Sequence, residues 1–404
     1  QRVTKKKAGR FTATTKRAMT KKEVAKKSKT KKSKTKRKNA PNKLEPITEL
    51  GRGLEGMINK LIDPISYAPT INKELISLKS INREDIPDCN NELAFQLKEP
   101  LQIGETNKSL GYKCYPYTST EAKDIMLKNL AANKHLDVSK IVPPKQILGN
   151  CWFNTFFVTF FVSDKGRKFF HFFRQLMIEG KQTNQKIIPT KIRDAFALLN
   201  YAIDACLTGS KYAYVLDTNS IIREIYNNIP KKYKKGIINV RHAGNPIRYY
   251  EGIISYLNNN SLKLLRLPYN GDNWKTDIIM NANKKECVPH IIILEGYDGL
   301  NNTAGISGTA TNKPLSFSIK GGEYMLDSCI IRDTKQNHFC ATITCENKEM
   351  AYDGMSFHRL VDMEWKKNIN NDLTWEFEGS TDNRKPLKWN FMHGYQLLFY
   401  YRVS

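Results

Sequence analysis

Residues 146–154 read QILGNCWFN. Cys151 follows a Gly-Asn turn, precedes a tryptophan and an aromatic run, and has Gln146 five positions before it. Free cysteine is often a small buried hydrophobe, so one reading makes Cys151 a packed thiol. The other makes it a nucleophile. A nucleophilic thiol needs a base, a group that orients the base, and donors for an oxyanion. The choice therefore decides what the rest of the chain must fold to supply.

A cysteine at the start of a helix sits among free N–H groups at the positive end of the helix dipole, which favours the thiolate. The sequence puts Cys151 at such a start. Gly149-Asn150 form the turn, and the apolar run FNTFFVTFFV at 153–162 begins just after the thiol. That run is too short for a membrane span of about 18 or more residues, so it reads as a buried helix. One long helix is expected over 151–180, with Lys165, Arg167 and Lys168 between its aromatic stretches. Its Phe/Tyr stripe, including Phe169, Phe170, Phe172 and Phe173, is expected in the core. The Cys151 amide and the Gln146 side chain would both point at an oxyanion.

The base must come from far downstream. Of seven histidines, His338 opens the strand-like run HFCATITC, and Asp353 follows fifteen positions on in AYDG. A hairpin between them would set the carboxylate beside the imidazole. His358 and His393 read as surface or core histidines, Asn154 as a structural helix residue and Trp152 as packing. Cys340 and Cys345 flank a strand, where a disulfide is an open alternative.

Further helices are expected at 120–135, with Thr120 as cap, and at 190–207, 219–228 and 246–258, with another at 47–65. Residues 66–120 are rich in Pro and Asn and read as an extended arm leading to the core. From about 287 the texture changes to short β-branched and aromatic runs between Gly, Asn and Asp. Helices first and an antiparallel sheet second predict an α+β domain, with Cys151 on the helical half and His338 and Asp353 on the sheet.

These motifs resemble those of papain-like cysteine peptidases, most closely the ubiquitin-specific protease branch. The Cys box is matched by Gln146, Gly149-Asn150, Cys151, Trp152-Phe153 and Asn154. The His box is matched by YML at 324–326, HF at 338–339 and YD at 352–353, and the closing strand by GYQLLFYYR at 394–402. The Cys-Trp-Phe step is also similar to the calpain and papain pattern. Gly354 stands where that branch usually has a second Asp, and the four-Cys zinc fingers of many members are absent. The resemblance implies a papain-like fold with Cys151 as nucleophile, His338 as general base, Asp353 as its orienting partner and Gln146 at the oxyanion hole. It implies cleavage of an amide or isopeptide bond at a ubiquitin-like tail, or else in a viral polypeptide, with no cofactor.

Charge sets the partners. The chain has 404 residues and a net charge of +26. Residues 1–43 hold nineteen Lys/Arg against one acid, Glu23, and so carry +18 of it. The segment KKSKTKKSKTKRK at 26–38 has almost nothing to bury and is expected to be disordered alone. It suits nucleic acid or another polyanion held by counterion release, a nuclear-targeting role or plain solvation. The domains expected are thus a basic tail at 1–43, an N-terminal extension at 44–145 and a catalytic domain at 146–404.

Eight scattered cysteines without a CxxC pair argue against a structural zinc site and suggest free thiols in a reducing compartment. No apolar stretch follows the basic start, so no secretory signal is expected. The location expected is intracellular, in host cytoplasm or nucleus. The Lys-, Asn- and Ile-rich composition resembles that of proteins from large AT-rich DNA viruses, which adds packaging in a virion to the expectations. The rival function is a peptidase scaffold without turnover, retained in a virion structural or nucleic-acid-associated protein.

Overall fold

The computed structural model describes residues 102–107, 111–132, 136–209, 213, 216–234, 246–258, 264–268, 273–285, 288–296, 312–319, 322–335 and 338–403. The basic tail at 1–43, the helix at 47–65 and most of the arm expected at 66–120 lie outside them. Where that arm is described it is not merely extended. Strands β1 (Gln102–Asn107) and β2 (Gly111–Pro116) pair antiparallel, and helix α1 (Thr120–Ala132) follows. The cap of α1 is Ser119, whose hydroxyl accepts from the Ala122 amide at 3.1 Å. Thr120, the cap expected, is already inside the helix, and the observed cap lies one residue earlier.

The helix expected over 151–180 is two helices, α2 (Cys151–Phe161) and α3 (Asp164–Glu179). The break is local chemistry. Ser163 has extended backbone and its hydroxyl accepts from the Gly166 amide, an N-cap that starts a new helix. Gly166 lets the two helices meet, since a Cβ there would lie 2.2 Å from the Thr159 carbonyl oxygen. Three more helices follow near the expected positions: α4 (Thr190–Thr208), α5 (Thr218–Asn228) and α6 (Pro246–Asn258).

Two elements then appear that the sequence reading did not separate, β3 (Leu264–Pro268) and α7 (Trp274–Lys285). The remaining main strands are β4 (Ile291–Gly296), β5 (Ser316–Ile319), β6 (Gly322–Arg332), β7 (Phe339–Cys345), β8 (Lys348–Tyr352) and β9 (Leu360–Asp362). The short helix α8 (Trp365–Asn368) follows, then four two-residue strands: β10 (Thr374–Trp375), β11 (Thr381–Asp382), β12 (Lys385–Pro386) and β13 (Trp389–Asn390). Strand β14 (Gln396–Arg402) closes the fold.

The large sheet runs β3-β4-β14-β6-β7-β8-β9, with β5 added to β6. It is antiparallel except at one edge, where β3 and β4 are parallel. The chain is therefore α+β, with a mixed rather than purely antiparallel sheet. Strand β14 is buried along its whole length. Leu397, Phe399 and Tyr401 face the helical side, while Leu398 and Tyr400 face the other. A strand covered on both faces reads as a continuous apolar run rather than an alternation.

The aromatic stripe lies in the helical-side core. Phe160 touches Phe170 at 4.2 Å between ring centroids and Phe399 at 5.8 Å, joining α2, α3 and β14. Polar clamps fix the same junction to the sheet. Asp327 of β6 accepts from the Ser163 hydroxyl at 2.6 Å and the Lys165 amide at 3.2 Å. The β7–β8 hairpin turns at Glu346-Asn347, both at positive φ, the conformation a two-residue hairpin turn requires. Asp164 holds that turn by accepting from both of its amides, at 2.7 and 3.1 Å. The start of α3 thus pins the hairpin that carries His338 and Asp353 at its open end.

Cys114 on β2 is disulfide-bonded, so the expectation of free thiols fails there. Cys151, Cys206, Cys329, Cys340 and Cys345 are free and buried, which removes a Cys340–Cys345 bridge. Among the described residues no helix is long and apolar enough to cross a membrane, and no cluster of three or more His, Cys, Asp or Glu could hold a metal ion.

Candidate active site

Cys151 is the first residue of α2 and is 5 % exposed. The turn before it is held by a buried polar chain. Asn150 accepts from the Ile147 amide at 3.0 Å and donates to the Thr218 hydroxyl at 2.9 Å. Thr218 donates on to Asn154 at 2.6 Å, and Asn154 donates to the Lys145 carbonyl at 3.2 Å. Asn154 is structural, as its helical position suggested. Asn150, read only as a turn former, also ties the loop to α5.

His338 immediately precedes β7 and Asp353 immediately follows β8, so the pairing of Ala341 with Tyr352 brings them together. The His338 Nε2–H donates to Asp353 Oδ1 at 2.5 Å, and Cys151 lies near enough to the same imidazole to raise its pKa. With Nε2 occupied, Nδ1 is the nitrogen left to face the sulfur. The structure thus brings Cys151, His338 and Asp353 into one chain of contacts.

Burial disfavours the imidazolium, but Asp353 and Cys151 outweigh it and raise the His338 pKa from 6.5 to about 10. A folded-state pKa above the unfolded one has a signed consequence. Below about pH 6.5 both states hold the proton and the full stabilisation is present. From there to about 10 the folded state keeps a proton that the unfolded chain has lost, so stability falls as pH rises and the contribution is gone above that. Urea melts from pH 6 to 10 are expected to slope downward more steeply for the wild type than for His338→Gln. Parallel slopes would contradict the assigned cause.

The loop before Cys151 is laced to the segment around Asp353. Arg359 donates to the Pro143 carbonyl at 2.5 Å, the Tyr352 hydroxyl to the Pro144 carbonyl at 2.6 Å, and the Gln146 amide to the Gly354 carbonyl at 2.8 Å. This explains Gly354. A Cβ there would lie 2.9 Å from the Tyr352 hydroxyl and 3.0 Å from the Gln146 amide nitrogen. Gly354→Ala is expected to push the two segments apart and cost about 1–3 kcal/mol as an overpacked site. A urea midpoint equal to the wild type's would show that the lacing gives way freely.

Gln146 is half-buried, and its side-chain amide donates to the Leu148 carbonyl at 3.1 Å. That spends one of its two N–H groups. The Cys151 backbone amide takes no acceptor among the described residues. Trp152 packs edge-on against Tyr249 at 5.3 Å. His358 is exposed and His393 lies 3.9 Å from Asp372, and neither joins the chain of contacts.

Three site residues escaped the sequence reading. Asp333 is fully buried, accepts from the His338 amide at 2.7 Å and donates its own amide to the His338 carbonyl at 2.8 Å. An Asp opening a turn just before His338 was a readable signal. Trp389 of β13 stands 5.8 Å from the His338 ring, and the Ser380 hydroxyl donates to Asp353 Oδ2. Neither had a local signal.

No family model matches the chain, and no curated protein matches it. Among solved structures it is similar to an essential yeast splicing factor, with a TM-score of 0.40 and 10% identity over 82% of this chain and 79% of that one. It is also similar to the SAGA Ubp8/Sgf11/Sus1/Sgf73 DUB module, with a TM-score of 0.34 and 10% identity over 90% of this chain and 100% of that one. A variant form of the same module gives a TM-score of 0.30, again at 10% identity.

Proposed function

We propose that this chain is a thiol hydrolase of papain-like type that cleaves an amide or isopeptide bond through Cys151, His338 and Asp353. The observation that carries the reading is the imidazole of His338, hydrogen-bonded to the buried Asp353 at 2.5 Å and close enough to Cys151 at the start of α2 for the thiol to raise its pKa. Asp353 holds one proton on Nε2, and the proton that His338 keeps up to about pH 10 is the one taken from the thiol onto Nδ1, so sulfur attacks the carbonyl carbon as thiolate. Collapse of the tetrahedral adduct expels the amine, which leaves with the proton returned by His338, and a thioester remains. Water adds to the thioester as Nδ1, now free, takes its proton, and sulfur departs as thiolate beside the restored imidazolium, releasing the acid. The oxyanion is met by the Cys151 amide and the second N–H of Gln146.

The substrate class proposed is a ubiquitin-like C-terminal tail, with a viral polypeptide as the other source of the same bond. The test uses the full chain with two probes, a ubiquitin bearing a C-terminal thiol-reactive group and a small alkylating agent. An adduct of ubiquitin at Cys151 supports both reaction and substrate. Alkylation at Cys151 without ubiquitin capture keeps the thiol chemistry and removes ubiquitin. If neither reacts until the chain is unfolded, the hydrolase reading fails and the scaffold without turnover takes its place.

A further inference from the structure

Asp353 has two oxygens, and the mechanism above uses one. Oδ1 accepts from His338, with the Met355 amide at 3.3 Å on the same oxygen. Oδ2 accepts from the Ser380 hydroxyl. Ser380 is 1 % exposed and Asp353 is fully buried, so bulk solvent does not reach that oxygen. Ser380 comes from a separate segment of chain. It lies between two very small antiparallel pairs, β10 with β13 and β11 with β12. Its backbone is fixed from both sides, by its own amide on the Phe377 carbonyl at 3.1 Å and by the Leu387 amide on its carbonyl at 3.0 Å.

The same segment covers the site in two further ways. Trp389 lies edge-on to the His338 ring and packs against Phe377 at 5.2 Å. The Phe357 amide donates to the Glu378 carbonyl at 3.0 Å, which joins the segment to the loop after Asp353.

We propose that Ser380 is a positioning residue for the reaction: its hydroxyl fixes the rotation of the Asp353 carboxylate and so keeps Oδ1 in line with His338 Nε2. The proposal rests on the hydrolase reading above for its catalytic meaning, and on geometry alone for its effect on His338. A carboxylate held at one oxygen can turn about its terminal bond, and one held at both cannot. Hydrogen bonds to charged groups are stronger than neutral ones, and in a dry site the loss is felt in full.

The groups that bear on the imidazole are few. Asp353 is hydrogen-bonded to it, and Cys151 is near enough to raise its pKa. Asp333 holds its backbone. Cys340 senses the charge of Asp353 and Asp333, and Tyr352 senses Asp353, Arg359 and Cys151. None of these supplies a second donor to Oδ2, so Ser380 is not backed up among the described residues.

The test compares wild type, Ser380→Ala and Ser380→Thr in the full chain by two readouts. The first is the rate of Cys151 alkylation as a function of pH. The second is the titration midpoint of His338, read by NMR of labelled histidine. Ser380→Ala is expected to slow alkylation at neutral pH about 10- to 100-fold, the loss of one charge-assisted hydrogen bond. It is also expected to lower the His338 midpoint. Ser380→Thr, which keeps the hydroxyl, should restore both. A folded Ser380→Ala with wild-type alkylation and an unmoved midpoint overturns the proposal. If wild-type Cys151 alkylates no faster than a free thiol, the hydrolase reading fails by itself, and the His338 midpoint still decides whether Ser380 holds Asp353. Should Ser380→Ala fail to fold, Ser380→Cys, with a similar shape and a weak donor, carries the same comparison.

Discussion

Cys151→Ala is expected to lower turnover of an amide or thioester reporter by about 10⁴- to 10⁶-fold, the scale on which removing a nucleophile acts. It should leave the fold in place. The side chain loses one sulfur atom at the first residue of a helix whose packing rests on Phe153, Phe156, Phe157 and Phe160. Labelling should be selective as well. Burial pushes the Cys329 and Cys345 thiols up to about 12, and it pushes Cys206 and Cys340 up too. Those four thiols are poor nucleophiles at neutral pH, because the thiolate is the reactive form. Brief alkylation at pH 7 followed by peptide mapping should therefore find the adduct at Cys151, and not at these four. Equal labelling of Cys151 and Cys206 would mean that neither is activated. Turnover undiminished in Cys151→Ala would remove the thiol from the chemistry.

The contacts of the site were legible in proportion to how local their causes are. The helix start at Cys151 could be read because a Gly-Asn turn and an aromatic run are adjacent signals. The His338–Asp353 pair could be read because a short hairpin joins two close positions. The division of 151–180 was missed although Ser163-Asp164 carries an N-cap signature, because the apolar pattern on either side runs through it. The β3–β4 parallel edge was missed for a different reason. LLRLP is only five residues long, and a short apolar run does not separate strand from helix by period. Ser380 and Trp389 lay beyond reach altogether. The segment between β10 and β13 pairs only two residues at a time, and its approach to Asp353 is set by tertiary packing that no local pattern encodes. The role of Gly354 is similar. The sequence showed a glycine where a carboxylate is usual in the family it resembles. Only the approach of Gln146 shows that the position has no room for a side chain.

His338 allows a test that separates catalysis from architecture. His338→Ala removes the proposed base and also strips Asp353 of its cationic partner. A buried carboxylate left unpaired destabilises a fold by about 3–5 kcal/mol, so lost activity in that variant would be ambiguous. His338→Gln is the informative change. Its side-chain amide has a donor to offer Asp353 but cannot accept and return a proton near neutral pH. The expected outcome is a loss of about 10⁴-fold or more in turnover with a urea midpoint nearer the wild type's than that of His338→Ala. Combined with Cys151→Ala it should be little worse than either change alone, because groups that act as a unit are not additive. Asp353→Asn should be milder. An amide turned with its oxygen toward His338 keeps the imidazole tautomer, and its N–H₂ can donate to a Ser380 hydroxyl that rotates to accept. The order expected is therefore His338→Gln well below Asp353→Asn, with Asp353→Ala, which frees the imidazole entirely, between them. If His338→Gln retained turnover while His338→Ala lost it, the histidine would be a structural partner of Asp353, and the base would have to be sought elsewhere.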